Sequence, residues 1–154
     1  MTDSYKIIDT MRRELALQRR YLKLLDLQKT SLLACDRKKF TELQPEQETI
    51  VATLAANQDL RQKLFRMSDG QPVKLSDLLP TMPQRLRDAA VELREELKRV
   101  VADVTRISDE NQTLIENELG YISFMMDSYV DASRKADKYA GLRSGRRLML
   151  DKRI

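Results

Sequence analysis

The sequence predicts an all-α protein: an antiparallel three-helix bundle of coiled-coil type, with a long overhanging third helix and a flexible C-terminal tail. Three observations carry this expectation. From Pro83 to Ser133 there is no further proline and one glycine, and the apolar residues Leu86, Ala90, Leu93, Leu97, Val100, Val104 and Ile107 keep an alternating three-and-four spacing. Two shorter amphipathic stretches precede it, separated by a short turn at Asp36. Charged residues make up 34% of the chain and aromatics 5%, with no tryptophan, a balance typical of helical bundles rather than sheets.

The first helix is expected from Ser4 or Tyr5 to about Ala34. Ile8, Met11, Leu15, Leu22, Leu25 and Leu32 mark its seam, and Leu17, Tyr21 and Leu24 widen it. Gln18 and Lys29 interrupt that seam and predict a wet patch in the bundle. Asp36 is suited to cap the next helix, because its carboxylate can accept from free amides of the first turn. A connection as tight as Ala34-Cys35-Asp36 makes the two helices antiparallel neighbours, and a small apolar role is expected for Cys35. The second helix is expected from Arg37 to Met67, with Phe40, Leu43, Ile50, Val51, Leu54, Leu64 and Phe65 facing inward. Pro45 lacks an amide hydrogen and costs about 3 kcal/mol inside a helix, so a kink or a break is expected there.

Residues 1–67 thus form a helical hairpin. Residues 68–82 are a linker rich in Pro, Ser and Asp, in which Leu75-Ser76-Asp77-Leu78-Leu79 has the pattern of one helical turn. Pro83 suits the first turn of the third helix, 83–133, where its missing amide is harmless. At roughly 1.5 Å per residue that helix is about 75 Å long, more than the first two can cover. Residues 134–154 form the tail. It carries eight basic and two acidic residues against a net charge of +4 for the whole chain, so the body is close to neutral. Ordering each of its residues costs about 1–2 kcal/mol, and its few apolar side chains cannot repay that without a partner.

Composition argues against catalysis. The chain has no histidine and a single cysteine, which removes the usual acid/base group at neutral pH, the commonest metal ligand and any internal disulfide. It has no Gly-rich phosphate loop and no nucleophile elbow. The acidic groups Glu92-Glu95-Glu96 and Asp109-Glu110 read as solvated helix faces paired with cations, as in Glu95 with Arg99. No metal or other cofactor is expected. The tail lacks an arginine-rich repeat with interleaved aromatics, so nucleic acid is not an expected partner. Neither a signal-type leader nor an apolar run of transmembrane length is present in the sequence, and a soluble cytoplasmic protein with no direct membrane insertion is expected.

The second half of the long helix is where function is expected. Asn111 occupies a seam position at which leucine would stabilise a permanent core better, and a polar residue there can set register. After it come Leu114, Ile115, Leu119, Tyr121, Ile122, Phe124, Met125, Met126 and Tyr129, a methionine-rich apolar surface able to adapt to irregular partners. Gly120 interrupts it, either as a tolerated defect or as a point of close backbone approach. Leu114, Ile115, Ile122, Met125, Met126 and Tyr129 are the candidate binding residues for an amphipathic partner segment.

A family resemblance adds to this reading. Leu24-Leu25, the turn ending in Asp36, Glu48-Thr49-Ile50-Val51, the segment Asn111-Gln112-Thr113-Leu114-Ile115-Glu116-Asn117, Tyr139-Ala140-Gly141 and the basic end Asp151-Lys152-Arg153-Ile154 together resemble the FlgN-type flagellar export chaperones. The resemblance implies a cytoplasmic chaperone that binds C-terminal segments of hook–filament junction proteins, prevents their premature assembly and delivers them to a membrane protein of the export gate. It places gate docking at Tyr139. The alternative is a structural coiled-coil adaptor that homodimerises through the same helix face; a weak homodimer is compatible with either.

Overall fold

The computed structural model describes residues 3–66 and 70–139. Four α-helices follow in order: α1 (Ser4–Leu33), α2 (Arg37–Leu64), the single turn α3 (Leu75–Leu78) and α4 (Gln84–Tyr139), with a 3₁₀ turn Leu79–Thr81 between α3 and α4. The all-α class is as the sequence predicts. By its internal contacts the chain divides into two units, 1–115 and 116–154, the second described over 116–139.

Capping explains where α1 and α2 begin and end. The Asp3 carboxylate accepts from the Lys6 amide at the start of α1, and the Asp36 carboxylate accepts from the Lys39 amide at 3.0 Å at the start of α2. Between them, the Cys35 amide donates to the Leu32 carbonyl and the Asp36 amide to the Ser31 carbonyl, the paired bonds of a Schellman ending. That ending needs a left-handed residue, and Cys35 supplies it with φ +53. Its side chain is exposed, so the expected small apolar role is corrected: Cys35 is a backbone hinge.

Helix α2 runs without a break through Pro45. Pro45 and Thr41, whose carbonyl loses its amide partner, are both exposed, so water can serve that carbonyl. The helix ends at Leu64 rather than at Met67, which lies outside the described residues. Val51, expected inward, is exposed, whereas Leu43 and Ile50 are buried as expected.

In unit 1, helix α1 is the shared support. Its first half contributes Ile7, Ile8, Met11 and Leu15 to one core with Leu78, Met82, Ala90 and Leu97. Its second half feeds two separate clusters, Leu24 against Leu43 and Ile50 of α2, and Leu25 against Val104 and Ile107 of α4. Tyr21 packs against both. The polar pairs give direction. Thr10 meets Asn57 and Gln28 meets Gln47, so α2 is antiparallel to α1. Arg19 meets Glu96 at 2.7 Å and Lys29 meets Glu110 at 2.6 Å, so α4 within this unit runs parallel to α1. The reversal from α2 to α4 is made by the linker, whose α3 turn buries Leu78 and Met82 at the N-terminal end of α1. The Arg87 guanidinium clamps the turn by donating to the carbonyls of Leu79 and Met82 at 3.0 and 3.1 Å.

Helix α4 continues to Tyr139, beyond the expected end at residue 133. Residues 134–139, Arg-Lys-Ala-Asp-Lys-Tyr, contain no glycine or proline and favour helix; the first breaker is Gly141. The remaining tail, from 140, lies outside the described residues.

Candidate functional site

The seam of α4 changes character along its length. Ala90, Leu97, Val104 and Ile107 are buried, with Leu86, Leu93 and Val100 packed against the cores. Asn111, the next seam residue, is 4% exposed and donates from Nδ2 to the Leu25 carbonyl at 3.0 Å, while its Oδ1 has no partner. One side chain from α4 thereby addresses one carbonyl of α1, which pins the register of the two helices. Leucine would lose that address.

Leu114 and Ile115, the last candidate residues of unit 1, are half-buried. Leu114 closes a shallow hollow of about 310 Å³ with Lys29, Leu33, Glu110 and Thr113. Leu33, at the end of α1, is itself exposed, a contributor that the sequence reading did not single out.

In unit 2 the apolar residues stand open. Tyr121, Phe124 and Tyr129 are 63%, 66% and 57% exposed, Met125 and Met126 49% and 45%, and Ile122 is half-buried. Met125, Met126 and Tyr129 lie three, four and seven residues after Ile122, so the four form a single stripe on one side of the helix. Phe124 is not in that stripe. At 100° per residue it points about 150° away from the stripe's centre. Tyr139, the proposed docking residue, is the last residue of α4. Gly120 has nothing within 4 Å of where a side chain would begin. No neighbouring backbone among the described residues therefore requires it.

Of the acidic groups, Glu95, Glu96 and Glu110 have cationic partners. Glu96 pairs with Arg19, and Glu110 with both Lys29 and Arg106. The hydrogen bond from Lys29, ahead of that from Arg106, holds the Glu110 carboxyl below its ordinary range. Glu95 lies 3.4 Å from Arg94 and 3.5 Å from Lys98, so the expected Glu95–Arg99 pair is replaced by its neighbours. On α1, Glu14 is buried and receives Arg61 Nη1 on both its oxygens, at 2.8 and 3.0 Å.

This pair belongs to a cleft between α2 and α4, floored by α1, that the sequence reading missed. It encloses about 440 Å³, with Met11, Phe65, Leu75, Leu97 and Val101 as apolar walls and Arg94 and Lys98 at the side. Two buried polar atoms there have no hydrogen-bond partner, Gln18 Oε1 and Arg94 Nε. The one available signal was Gln18, already conspicuous as a break in the seam of the first helix.

None of the described helices is long and apolar enough to cross a membrane. Comparison with curated proteins and with solved structures finds no match. The family model described as FlgN protein matches residues 1–139, nearly the whole chain. An all-α bundle whose long last helix bears an open apolar surface agrees with that match, and the chain belongs to the FlgN family of flagellar export chaperones, which bind flagellar export substrates.

Proposed function

We propose that the protein is a cytoplasmic chaperone for hook–filament junction proteins, and that it captures their C-terminal segments on the stripe formed by Ile122, Met125, Met126 and Tyr129, continued through Ile115 and Leu114. The observation that carries this reading is the change of the α4 seam from buried to open after Asn111. A client segment that is unfolded as a monomer gains a helical surface to fold against, and its own apolar face is masked from premature assembly. Coupled folding consumes part of the interaction energy, so a large contact surface remains releasable at the export gate. Tyr139, with the basic residues after it, is the docking element for the gate protein.

The test uses the purified C-terminal segment of a junction protein in titration calorimetry. Met125→Asp with Tyr129→Asp should weaken capture by about a hundredfold, since two apolar anchors are replaced by desolvated charges. Unchanged affinity would remove the stripe from the reading. Tyr139→Ala should leave capture intact and reduce secretion of the client from flagellated cells. Were the chain instead an adaptor that dimerises through the stripe, the same Met125/Tyr129 variant would turn a tight dimer into a monomer and no client would bind either form.

A further inference from the structure

The open stripe of unit 2 sits in surroundings of one electrical sign. Met125, Met126 and Tyr129 are exposed and Ile122 half-buried, so the described residues leave the stripe uncovered. A contiguous apolar face of this kind marks a surface that something occupies. From Ile107 to Ser133 the sequence contains no lysine or arginine, and Glu116, Glu118, Asp127 and Asp131 make residues 116–133 uniformly acidic. Glu118 lies on the stripe's own side of the helix, four residues before Ile122.

Sequence of the opposite sign follows. Residues 140–154, which lie outside the described residues, carry Arg143, Arg146, Arg147, Lys152 and Arg153 against Asp151 alone. Among these charges stands the apolar run Leu148-Met149-Leu150. The two partners are also within reach of each other. Tyr129 and Ile122 lie ten and seventeen residues before the end of α4, about 15 and 26 Å along its axis. Leu148 follows Tyr139 by nine residues, up to about 30 Å of extended chain. Gly141, two residues beyond the last residue of α4, tolerates the backbone that a reversal after a helix requires.

We propose that, before a client binds, the chain's own residues 140–154 turn back along α4 and cover the stripe. Leu148, Met149 and Leu150 pack on Met125, Met126 and Tyr129, and the arginines lie in the negative field of residues 116–133. Stripe and occupant belong to the same unit of the chain, 116–154. Tethering makes the contact intramolecular, so an intrinsically weak contact suffices to hold it. This regulation rests on the reading of the stripe as the client site. A client segment then displaces the tail instead of landing on a bare surface. Its capture frees the basic residues after Tyr139 for the gate, so loading and docking are coupled through one displaced segment. A stripe covered in nine molecules of ten binds client with about one tenth of its intrinsic affinity.

The test uses the full chain, with Cys35→Ser and a nitroxide attached through Ser144→Cys. The label should broaden the methyl signals of Met125 and Met126 at every protein concentration, and less so as salt is added. Leu148→Ser with Leu150→Ser should remove most of that broadening. The same double variant, without the label, should bind the purified C-terminal segment of a junction protein about tenfold more tightly than the parent. Arg146→Glu with Arg147→Glu should shift both readouts in the same direction. Saturating client segment should abolish the broadening in the labelled parent. Equal broadening in parent and Leu148/Leu150 variant would overturn the proposal. So would broadening seen only when label and isotope sit on different molecules, or a client that binds parent and variant equally tightly. A client segment that binds neither chain counts against the client reading instead; broadening that depends on Leu148 and Leu150 then still supports the contact between tail and stripe.

Discussion

At the residue scale, stability is governed by a few side chains held in costly places. Cys35 adopts a left-handed backbone that disfavours any residue with a Cβ by about 1–2 kcal/mol. Cys35→Gly should therefore raise stability by about 1 kcal/mol in urea unfolding, since the side chain is exposed and contributes no packing. Glu14 is the opposite case. It is buried and paired with Arg61, so Arg61→Ala should cost about 3 kcal/mol by leaving a carboxylate without that counterion. Glu110 brings a pH dependence. Its carboxyl titrates below the ordinary glutamate range because Lys29 donates to the ionised form. A depressed carboxylate contributes stability that is complete above the unfolded-state value and is lost as pH falls through the folded-state value. Glu110→Gln should accordingly lose less stability than the parent in an acid titration, while the two differ most near neutral pH.

At the scale of elements, α4 shows what heptad spacing settles and what it leaves open. The positions from Leu86 to Ile107 were legible, because a three-and-four spacing can present only one side to a partner helix. The boundary at Asn111 was legible too, as a polar residue on an apolar seam, but its acceptor on α1 was not, since a side-chain amide can find many partners. Gly120 is resolved in part: with nothing within 4 Å among the described residues, no contact between them demands it. Gly120→Ala should add helix stability of about 1 kcal/mol, read as stronger helical dichroism and slower amide exchange in residues around 120. Pro45 taught the converse lesson. Its local penalty argued for a kink or a break, and the continuity of α2 excludes the break: Leu24 of α1 packs on Leu43 and Ile50 to either side of the proline, and the carbonyl of exposed Thr41 is open to water.

For the whole molecule, all the buried apolar residues among those described belong to unit 1, and the open stripe belongs to unit 2. A chain ending at Ile115 should consequently melt within about 5 °C of the full protein while losing client capture, which thermal unfolding and calorimetry can check together. The α2–α4 cleft is the feature that sequence could not show. Its lining comes from all four helices, far apart in the chain, and whether α2 and α4 meet or stand apart depends on the angle at which each packs on α1. Periodicity reports which side of a helix is apolar. It does not report the angle between two helices that share a third.

Helix number, helix order, the capping at Asp36, the seam of α4 and its abrupt change of character after Asn111 follow from the amino-acid sequence alone, because they depend on spacing and backbone preference, which are local. The tertiary structure decided the rest: that α1 supports three separate apolar clusters, that Cys35 serves the backbone rather than the interior, that Arg61 answers Glu14, and that a cleft lined by Arg94 and Lys98 opens between α2 and α4. Those outcomes depend on which surfaces meet in three dimensions, and that is set by packing between distant segments rather than by any one of them.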